Sequence, residues 1–305
     1  MIAMARNTRA LPARCDTDFR DRLVVITGAT SGIGYLTART YASRGANLIC
    51  VNRNAEKSRA LCEEITAEFG TSCETILADM SLLEDAHRVG RELAALPVPI
   101  DVLIHNAGLY LTRRTVTADG FETTFMVNYL SSFVINYLIA GKLIAQERAR
   151  IILVNSEGHR FAAWGLNLND MSWERRRYTG LRSYGSAKTA QLLSLITFGD
   201  RFAGSGVTIN AMHPGAVKTQ TGSDNGPVYQ WFKNNLLERT FMPTQVSADA
   251  LYYLGVSGAV EGLTGEFFSL TTCEHPAPPA RDREIAEALW ELSLKWGGLD
   301  GSHEL

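Results

Sequence analysis

The fold is decided by the segment Leu23-Val24-Val25-Ile26-Thr27-Gly28-Ala29-Thr30-Ser31-Gly32-Ile33-Gly34. Its apolar start predicts a buried parallel strand, and its three glycines predict a tight turn that leads into a helix. Gly28 permits the turn, while Gly32 and Gly34 let the backbone and the helix come close to a bound group. The N–H groups of the first helical turn then point at an anion, which indicates a site for the pyrophosphate of a dinucleotide.

Composition limits the class of protein. The chain has 305 residues, of which 46% are hydrophobic, and this is enough for the core of one large α/β domain. Its formal net charge of −2 excludes the basic surface of a nucleic-acid-binding protein. The five cysteines show neither paired nor metal-ligand spacing, so we expect reduced thiols, no metal and a cytoplasmic location.

The N-terminal residues 1–20 are polar and rich in arginine, and they predict a loosely held tail. They lack the apolar run of a signal peptide or a membrane helix. No other segment reaches membrane-spanning length in this interpretation, so we expect no contact with a membrane.

Apolar runs alternate with segments of helical spacing along the rest of the chain. Strands are predicted at residues 23–26, 46–51, 73–77, 101–104, 151–154, 207–212 and 266–270. Helices are predicted at residues 35–44, 55–69, 82–96, 121–145, 183–202, 244–255 and 281–296. This alternation predicts one α/β domain over residues 21–299, a Rossmann fold whose doubly wound parallel sheet has about seven strands and helices on both faces. Residues 221–241 are predicted to form a flap over the substrate.

Polar or small residues follow the ends of four predicted strands, namely Gly28, Asn52, Asp79 and Asn106. Ligands of doubly wound sheets bind beyond the carboxyl ends of the strands, so we expect these residues at one cofactor site. Asp79 is interpreted either as a neighbour of a helix cap or as an acceptor for the adenine amino group.

The end of the second strand bears on the choice of cofactor. An acidic residue there would bind the ribose 2′-hydroxyl of NAD, whereas this chain has Asn52 followed by Arg53. Arg53 suits a 2′-phosphate through charge-assisted hydrogen bonds, so NADP(H) is expected ahead of NAD(H). The alternative is that Arg53 is an ordinary solvated arginine.

Tyr184 and Lys188 are candidates for acid–base chemistry. They lie four residues apart, on one face of a predicted helix. An adjacent ammonium group can lower the pKa of a phenol by about 1–3 units, which makes the tyrosine a usable general acid and base near neutral pH. Ser156 ends a strand and could donate a hydrogen bond to a substrate oxygen. Asn128 lies in an apolar helix, where either internal hydrogen bonding or a water relay to Lys188 would satisfy its amide.

The chain resembles the short-chain dehydrogenase/reductase family over residues 21–299. The resemblance is carried by the glycine-rich turn together with Asn106-Ala107-Gly108, Asn128, Ser156, Tyr184-x-x-x-Lys188 and Pro214-Gly215. Within the family it is most similar to the retinol-dehydrogenase-like, NADP-dependent reductases. That similarity rests on Asn52-Arg53-Asn54, Val127-Asn128-Tyr129-Leu130, His213-Pro214-Gly215 and Gly265-Glu266-Phe267-Phe268.

The resemblance implies the following roles. Tyr184 exchanges the proton with the substrate oxygen, Lys188 binds the nicotinamide ribose, Ser156 holds the reacting oxygen and Asn128 supports a relay water. The implied cofactor-binding residues are Gly28, Ser31, Gly32, Ile33, Gly34, Arg53, Asp79, Met80, Asn106, Ala107, Gly108, Tyr184, Lys188, Pro214, Gly215, Val217 and Thr219. Among them, Asp79 is assigned to the adenine, Asn106 to the adenosine side and Thr219 to the nicotinamide end.

Some features depart from the family pattern. Asn155 stands where many relatives have a second serine, and Glu157 places a carboxyl group near the site. The run Arg175-Arg176-Arg177 is interpreted as a solvated face rather than an anion site.

The expected activity is NADP(H)-dependent hydride transfer between nicotinamide and a carbonyl/alcohol pair of a largely apolar small molecule. Reduction of a C=C bond in an enone or a pigment-like substrate, and a non-catalytic NADP-binding redox sensor, are the alternatives. A homodimer or homotetramer built on helices 121–145 and 183–202 is a further expectation.

Overall fold

The computed structural model describes residues 12–215 and 242–299. Their strands form one sheet in the order β3-β2-β1-β4-β5-β6-β7-β8. The strand bounds are β1 Leu23–Thr27, β2 Asn47–Asn52, β3 Cys73–Leu77, β4 Val102–His105, β5 Ala149–Val154, β6 Val207–His213, β7 Phe267–Ser269 and β8 Thr272–Glu274. Strands β1 to β7 pair in parallel, and β8 pairs antiparallel with β7. The predicted doubly wound α/β fold is confirmed.

Helices pack on both faces of this sheet. Their bounds are α1 Gly32–Ala42, α2 Ala55–Phe69, α3 Leu83–Ala94, α4 Thr123–Ala145, α5 Gly180–Arg201, α6 Gln245–Val256 and α7 Arg283–Trp296. Apolar side chains of α1, α2 and α6 form one core with the sheet, and those of α3, α4, α5 and α7 form the other. Strands β1, β2, β4, β5 and β6 are therefore buried between two layers, which explains their continuous apolar runs, whereas β3 at the edge of the sheet is only partly buried.

The structure differs from the predicted elements at several boundaries. The prediction of about seven strands misses β8, a strand of three residues that turns back on β7. Helix α5 begins at Gly180 rather than at residue 183, because the Thr179 side chain caps it by accepting a hydrogen bond from the Arg182 N–H. Helix α4 contains a π-helical segment, Met126–Leu130, in which the Ser131 N–H bonds to the Met126 carbonyl.

Helix α4 also corrects the expectation about membrane-spanning length. It has 23 residues with a mean hydropathy of 1.2, so it is long and apolar enough to cross a membrane. However, 72% of the apolar 18-residue stretch of this helix is buried inside the protein. In this structure α4 is a core helix.

Helix α7 covers the two helices on which the expected dimer was based. The Trp290 ring lies 5.0 Å from the Phe133 ring of α4 and 4.9 Å from the Phe198 ring of α5, measured between centroids. Ser293 adds a 2.8 Å hydrogen bond to the Tyr129 hydroxyl of α4. Helix α7 thus packs against both helices, and the dimer built on α4 and α5 stays a prediction.

Two expectations from the sequence change in three dimensions. The end of the predicted tail is held against the core, since the Phe19 ring packs 5.8 Å from the Tyr41 ring. Three cysteines that are scattered in sequence also come together between α2, β2 and β3. The Cys73 sulfur lies 2.8 Å from that of Cys62 and 4.0 Å from that of Cys50, and all three are free thiols.

Candidate active site

A cavity of about 630 Å³ opens at the carboxyl ends of β1, β2, β3, β4, β5 and β6. Most of the predicted site residues line it, although they come from different elements. The predicted residues on its wall are Gly28, Ser31, Gly32, Ile33, Arg53, Asp79, Met80, Asn106, Ala107, Gly108, Asn128, Ser156, Tyr184, Lys188, Pro214 and Gly215. Val217, Thr219 and the predicted flap 221–241 lie outside the described residues.

The glycine-rich turn has the conformation that its sequence requires. Gly28 has a φ of +71°, which other residues rarely adopt. Gly34 is not part of the cavity wall. A Cβ atom at Gly34 would lie 2.2 Å from the Gly28 carbonyl oxygen, so this glycine lets α1 pack against the turn. Gly34 therefore brings helix and turn together, and its contact with a cofactor stays a prediction.

Asn106 stabilises the same turn. Its Nδ2 donates to the carbonyl oxygens of Thr27 at 3.1 Å and Gly28 at 2.8 Å. Its neighbour Ala107 donates its N–H to the Thr27 hydroxyl at 3.0 Å. The Asn106 amide, which the prediction assigned to the adenosine side, therefore ties β4 to β1, although Asn106 also lines the cavity.

At the end of β3, Asp79 lies three residues before the cap of helix α3. Helix α3 begins at Leu83 with Leu82 in the cap position, and the Asp79 carboxylate instead accepts the N–H of Ser81 at 2.9 Å. Asp79 lines the cavity beside Met80, so the interpretation as an adenine contact stays a prediction.

The end of β2 fits a ribose and its phosphate. Asn52 is buried, and its Oδ1 accepts the Ala29 N–H of the turn at 2.7 Å. Its Nδ2 is a buried donor with no partner in the described part of the chain. Arg53 and Lys57 stand beside it on the cavity wall with exposed side chains. An uncommitted amide donor and two cations suit the hydroxyl groups and phosphates of a nicotinamide dinucleotide.

Ser156 and Tyr184 meet around Gly158 at the other end of the cavity. A Cβ atom at Gly158 would lie 2.6 Å from Cε1 of Tyr184 and 3.2 Å from Oγ of Ser156. The Ser156 hydroxyl accepts the Gly158 N–H at 3.0 Å, so its own hydrogen can be donated to a substrate oxygen. The Tyr110 ring packs edge-on against the Tyr184 ring, with 5.7 Å between centroids.

Lys188 lies one helical turn after Tyr184 and is buried. Its Nζ is 5.9 Å from the centroid of the Tyr184 ring. It donates to the Val154 carbonyl oxygen at 2.7 Å and to Oε1 of Gln191 at 3.3 Å. Burial lowers the pKa of Lys188 to about 7, because the ammonium group loses its hydration.

Asn128 satisfies its amide within the protein. It lies in the π-helical segment of α4, where Oδ1 accepts the Leu109 N–H at 3.0 Å and Nδ2 donates to the Leu109 carbonyl oxygen at 2.8 Å. Both groups of the side chain are thus used to hold the segment that follows β4. The structure therefore shows the first interpretation of Asn128, internal hydrogen bonding of its amide. The water relay to Lys188 stays a prediction.

The carboxyl group of Glu157 is neutralised by an arginine. Its Oε2 pairs with Nε of Arg160, and both residues belong to the short 3-10 helix Glu157–Ala162. Neighbouring His213 is half-buried, and the loss of hydration lowers its pKa to about 4. His159 is also buried, and burial lowers its pKa. Both imidazoles are therefore neutral near pH 7.

The arginine run Arg175-Arg176-Arg177 is only in part a solvated face. Arg175 and Arg177 are exposed. Arg176 instead pairs with the buried Asp170 at 3.0 Å, and its guanidinium lies 4.1 Å from the centroid of the Trp173 ring. The middle arginine therefore stabilises this loop.

Sequence reasoning missed several residues of the site. Lys57 and Asn54 line the cavity and form the cap of α2, where Asn54 accepts the Lys57 N–H at 2.8 Å. An asparagine just before a helix is a recognisable cap in the sequence, so this signal could have located both residues. Gly158 and Gln191 gave no signal, since a glycine in a loop and a glutamine in an apolar helix are common. Leu109 and Val127 add apolar wall near the reactive end.

The family model described as short chain dehydrogenase matches residues 22–166. Retinol dehydrogenase 13 of Mus musculus is 32% identical over 287 residues, which are 92% of this chain and 85% of that protein. A candidate daunorubicin C-13 ketoreductase of Streptomyces sp. (strain C5) is 32% identical over 89% of this chain and 91% of its own length. The crystal structure of an uncharacterized protein from Mycobacterium paratuberculosis superposes with a TM-score of 0.71 at 27% identity, over 92% of this chain and 95% of that one. The chain therefore belongs to the short-chain dehydrogenase/reductase family of oxidoreductases and resembles its retinol dehydrogenases.

Proposed function

We propose that this oxidoreductase is NADP(H)-dependent and transfers hydride between nicotinamide and the carbonyl or alcohol carbon of a largely apolar small molecule. The observation that carries the proposal is that Ser156, Tyr184 and Lys188 share one cavity with the glycine-rich turn. A bound nicotinamide ring supplies or accepts the hydride. The protein residues supply the proton and orient the reacting oxygen.

Tyr184 is the general acid and base of this proposal. In the direction of reduction, its phenol gives a proton to the oxygen that becomes the alcohol, and in oxidation the phenolate takes that proton. The Lys188 ammonium favours the phenolate, because an opposite charge nearby stabilises the ionised form. Ser156 donates a hydrogen bond to the same substrate oxygen, since its Oγ already accepts the Gly158 N–H.

The preference for NADP(H) is supported by the residues at the end of β2. Arg53 and Lys57 line the cavity there, and the position that would hold an acidic residue for the 2′-hydroxyl of NAD is Asn52. A carboxylate at that position would repel a 2′-phosphate, whereas two cations attract it.

An apolar carbonyl substrate is supported by the wall near Tyr184. Leu109 and Val127 line the cavity, and the Tyr110 ring lies against Tyr184. Two of the relatives are named as a ketoreductase and a retinol dehydrogenase, which are enzymes of a ketone and of an alcohol.

The test combines a substrate panel with one variant. Apolar aldehydes, ketones and enones are offered with NADPH and with NADH, and the products are identified by mass spectrometry and NMR. We expect alcohols as products, faster turnover with NADPH, and a loss of turnover in Tyr184→Phe. A saturated ketone from an enone would indicate C=C reduction. Tight NADPH binding without turnover of any substrate would indicate a sensor, and undiminished turnover by a folded Tyr184→Phe would refute the mechanism.

A further inference from the structure

Asn155 connects the residues on which the proposed chemistry depends. Its side chain is buried at the end of β5. Oδ1 accepts the backbone N–H of Ser156 at 2.7 Å. Nδ2 donates to the Lys188 carbonyl oxygen at 3.0 Å and to Oε1 of Gln191 at 2.8 Å. One amide thus joins the Ser156 backbone to the helix turn that carries Lys188.

Gln191 completes the connection. Its Oε1 accepts from Asn155 and from Nζ of Lys188, the latter at 3.3 Å. The Asn155 donor fixes which end of the Gln191 amide faces Lys188, because only the oxygen can accept both hydrogen bonds. Gln191 is itself buried on α5, so water does not compete for this acceptor.

We propose that Asn155 and Gln191 are positioning residues that hold Nζ of Lys188 and the backbone of Ser156 in a fixed relation to each other. The inference rests on the proposed function, in which Ser156 binds the substrate oxygen and Lys188 stabilises the Tyr184 phenolate. The Asn155 amide donates two hydrogen bonds and accepts one, which a smaller side chain with a single donor, such as serine, could not do.

Gln191 acts on the charge of Lys188 as well as on its position. A neutral acceptor at 3.3 Å favours the ammonium over the amine. Gln191→Met keeps the length of the side chain but removes this acceptor. Gln191→Glu keeps the acceptor and adds a negative charge. The two variants therefore change the pKa of Lys188 in opposite directions.

The other titratable groups around Lys188 behave differently. Tyr184 lies on the same helix, Glu157 and His159 lie on the short helix after β5, and His213 ends β6. The two histidines are neutral near pH 7 because burial lowers the pKa of each. The charge of Glu157 is paired with Arg160. Among the described residues no hydrogen bond joins Glu157, His159 or His213 to Gln191, so a titration that follows residue 191 belongs to Lys188 and the coupled Tyr184.

The experiment is the pH profile of kcat/KM for NADPH, with any accepted carbonyl compound held at saturation. Activity is expected to fall on the alkaline side as the coupled pair of the Lys188 ammonium and the Tyr184 phenol loses its protons. We expect Gln191→Glu to move this limb to higher pH by about 1 unit or more, and Gln191→Met to move it to lower pH. Ser194→Ala is the matched control, because Ser194 is buried on the same helix and its hydroxyl donates to the Gln191 backbone carbonyl. Its limb should stay in place.

A double-mutant cycle tests the link to Asn155. Asn155→Asp keeps the acceptor for the Ser156 N–H but removes the donor to Gln191. We expect the losses in kcat of Asn155→Asp and Gln191→Met to be strongly non-additive, since both act through one chain of hydrogen bonds. Additive losses would overturn the connection.

If the alkaline limb of the pH profile does not move in a folded Gln191→Glu variant, the proposed role of Gln191 is overturned. Gln191→Glu is sufficient for this test if Gln191→Met does not fold. The proposed function fails separately, through a fully active Tyr184→Phe. If Tyr184→Phe is inactive and the limb does not move with residue 191, only the positioning role is refuted.

Discussion

Replacing Gly158 by alanine tests the arrangement of Ser156 and Tyr184 most directly. The added Cβ atom would lie 2.6 Å from Cε1 and 2.9 Å from Cδ1 of the Tyr184 ring. It would also lie 3.2 Å from Oγ of Ser156. The variant adds one methyl group and no charge or hydrogen-bonding group, so its effect comes from displacement alone.

The size of the effect follows from these distances. Carbon atoms in favourable contact are about 3.5–4.0 Å apart, so the Tyr184 ring or the short helix has to move by about 1 Å. A displacement of this size at a reacting group costs about 10²-fold in rate. We therefore expect kcat to fall by about two orders of magnitude. The overpacking itself destabilises the fold by about 1–3 kcal/mol.

The assay measures NADPH oxidation with an accepted carbonyl compound, next to NADPH affinity and urea unfolding. NADPH affinity should change little, because Gly158 lies at the reactive end of the cavity. Gly141→Ala is the control, since its Cβ atom on α4 would meet no atom within 4 Å. This variant should keep its kcat and gain about 0.5–1 kcal/mol of stability. A folded Gly158→Ala with normal kcat would refute the placement of Tyr184 against Ser156.

Three further outcomes are expected. Tyr184→Phe should fold and bind NADPH, while kcat falls by at least the roughly 10²–10⁴-fold of a lost general acid, measured by NADPH oxidation. Arg53→Ala should raise the Kd of NADP(H) much more than that of NAD(H), because it removes a cation from the 2′-phosphate, and equal losses in fluorescence titrations would contradict the assignment. Trp290→Ala should lower the free energy of unfolding by about 3–5 kcal/mol in urea, because this buried ring fills the space between α4, α5 and α7.

The order of strands and helices could be predicted because buried parallel strands leave continuous apolar runs and the helices between them leave a 3.6-residue period. The errors fall where that signal is short or local. Strand β8 has three residues, Thr272–Glu274, and pairs only with its neighbour β7, so no periodicity reveals it. The start of α5 was placed late because the capping hydroxyl of Thr179 stands before Gly180, a residue that disfavours helices.

The site could be predicted as far as its chemistry is carried by single residues at recognisable spacings, as for Tyr184 and Lys188. What could not be predicted depends on contacts between distant parts of the chain. Asn155 and Gln191 meet only when α5 packs against β5, and neither stands in a motif. The Asn106 amide illustrates a second limit. Its position in the sequence indicates a hydrogen-bond donor at the cavity, but it does not reveal that Nδ2 donates instead to the carbonyl oxygens of Thr27 and Gly28.

The two ends of the cavity use their polar groups differently. At the reactive end, Asn155, Gln191 and Asn128 are hydrogen-bonded within the protein and hold their neighbours in place. At the adenosine end, Nδ2 of Asn52 has no partner in the described residues, and Arg53 is exposed. Donors without a partner in the protein can stabilise the bound cofactor by forming new hydrogen bonds with it. Side chains already hydrogen-bonded within the protein keep the reacting groups in place, so less rearrangement is needed during the reaction. Substitutions at the adenosine end should therefore appear mainly in the Kd of the cofactor, and substitutions at the reactive end mainly in kcat.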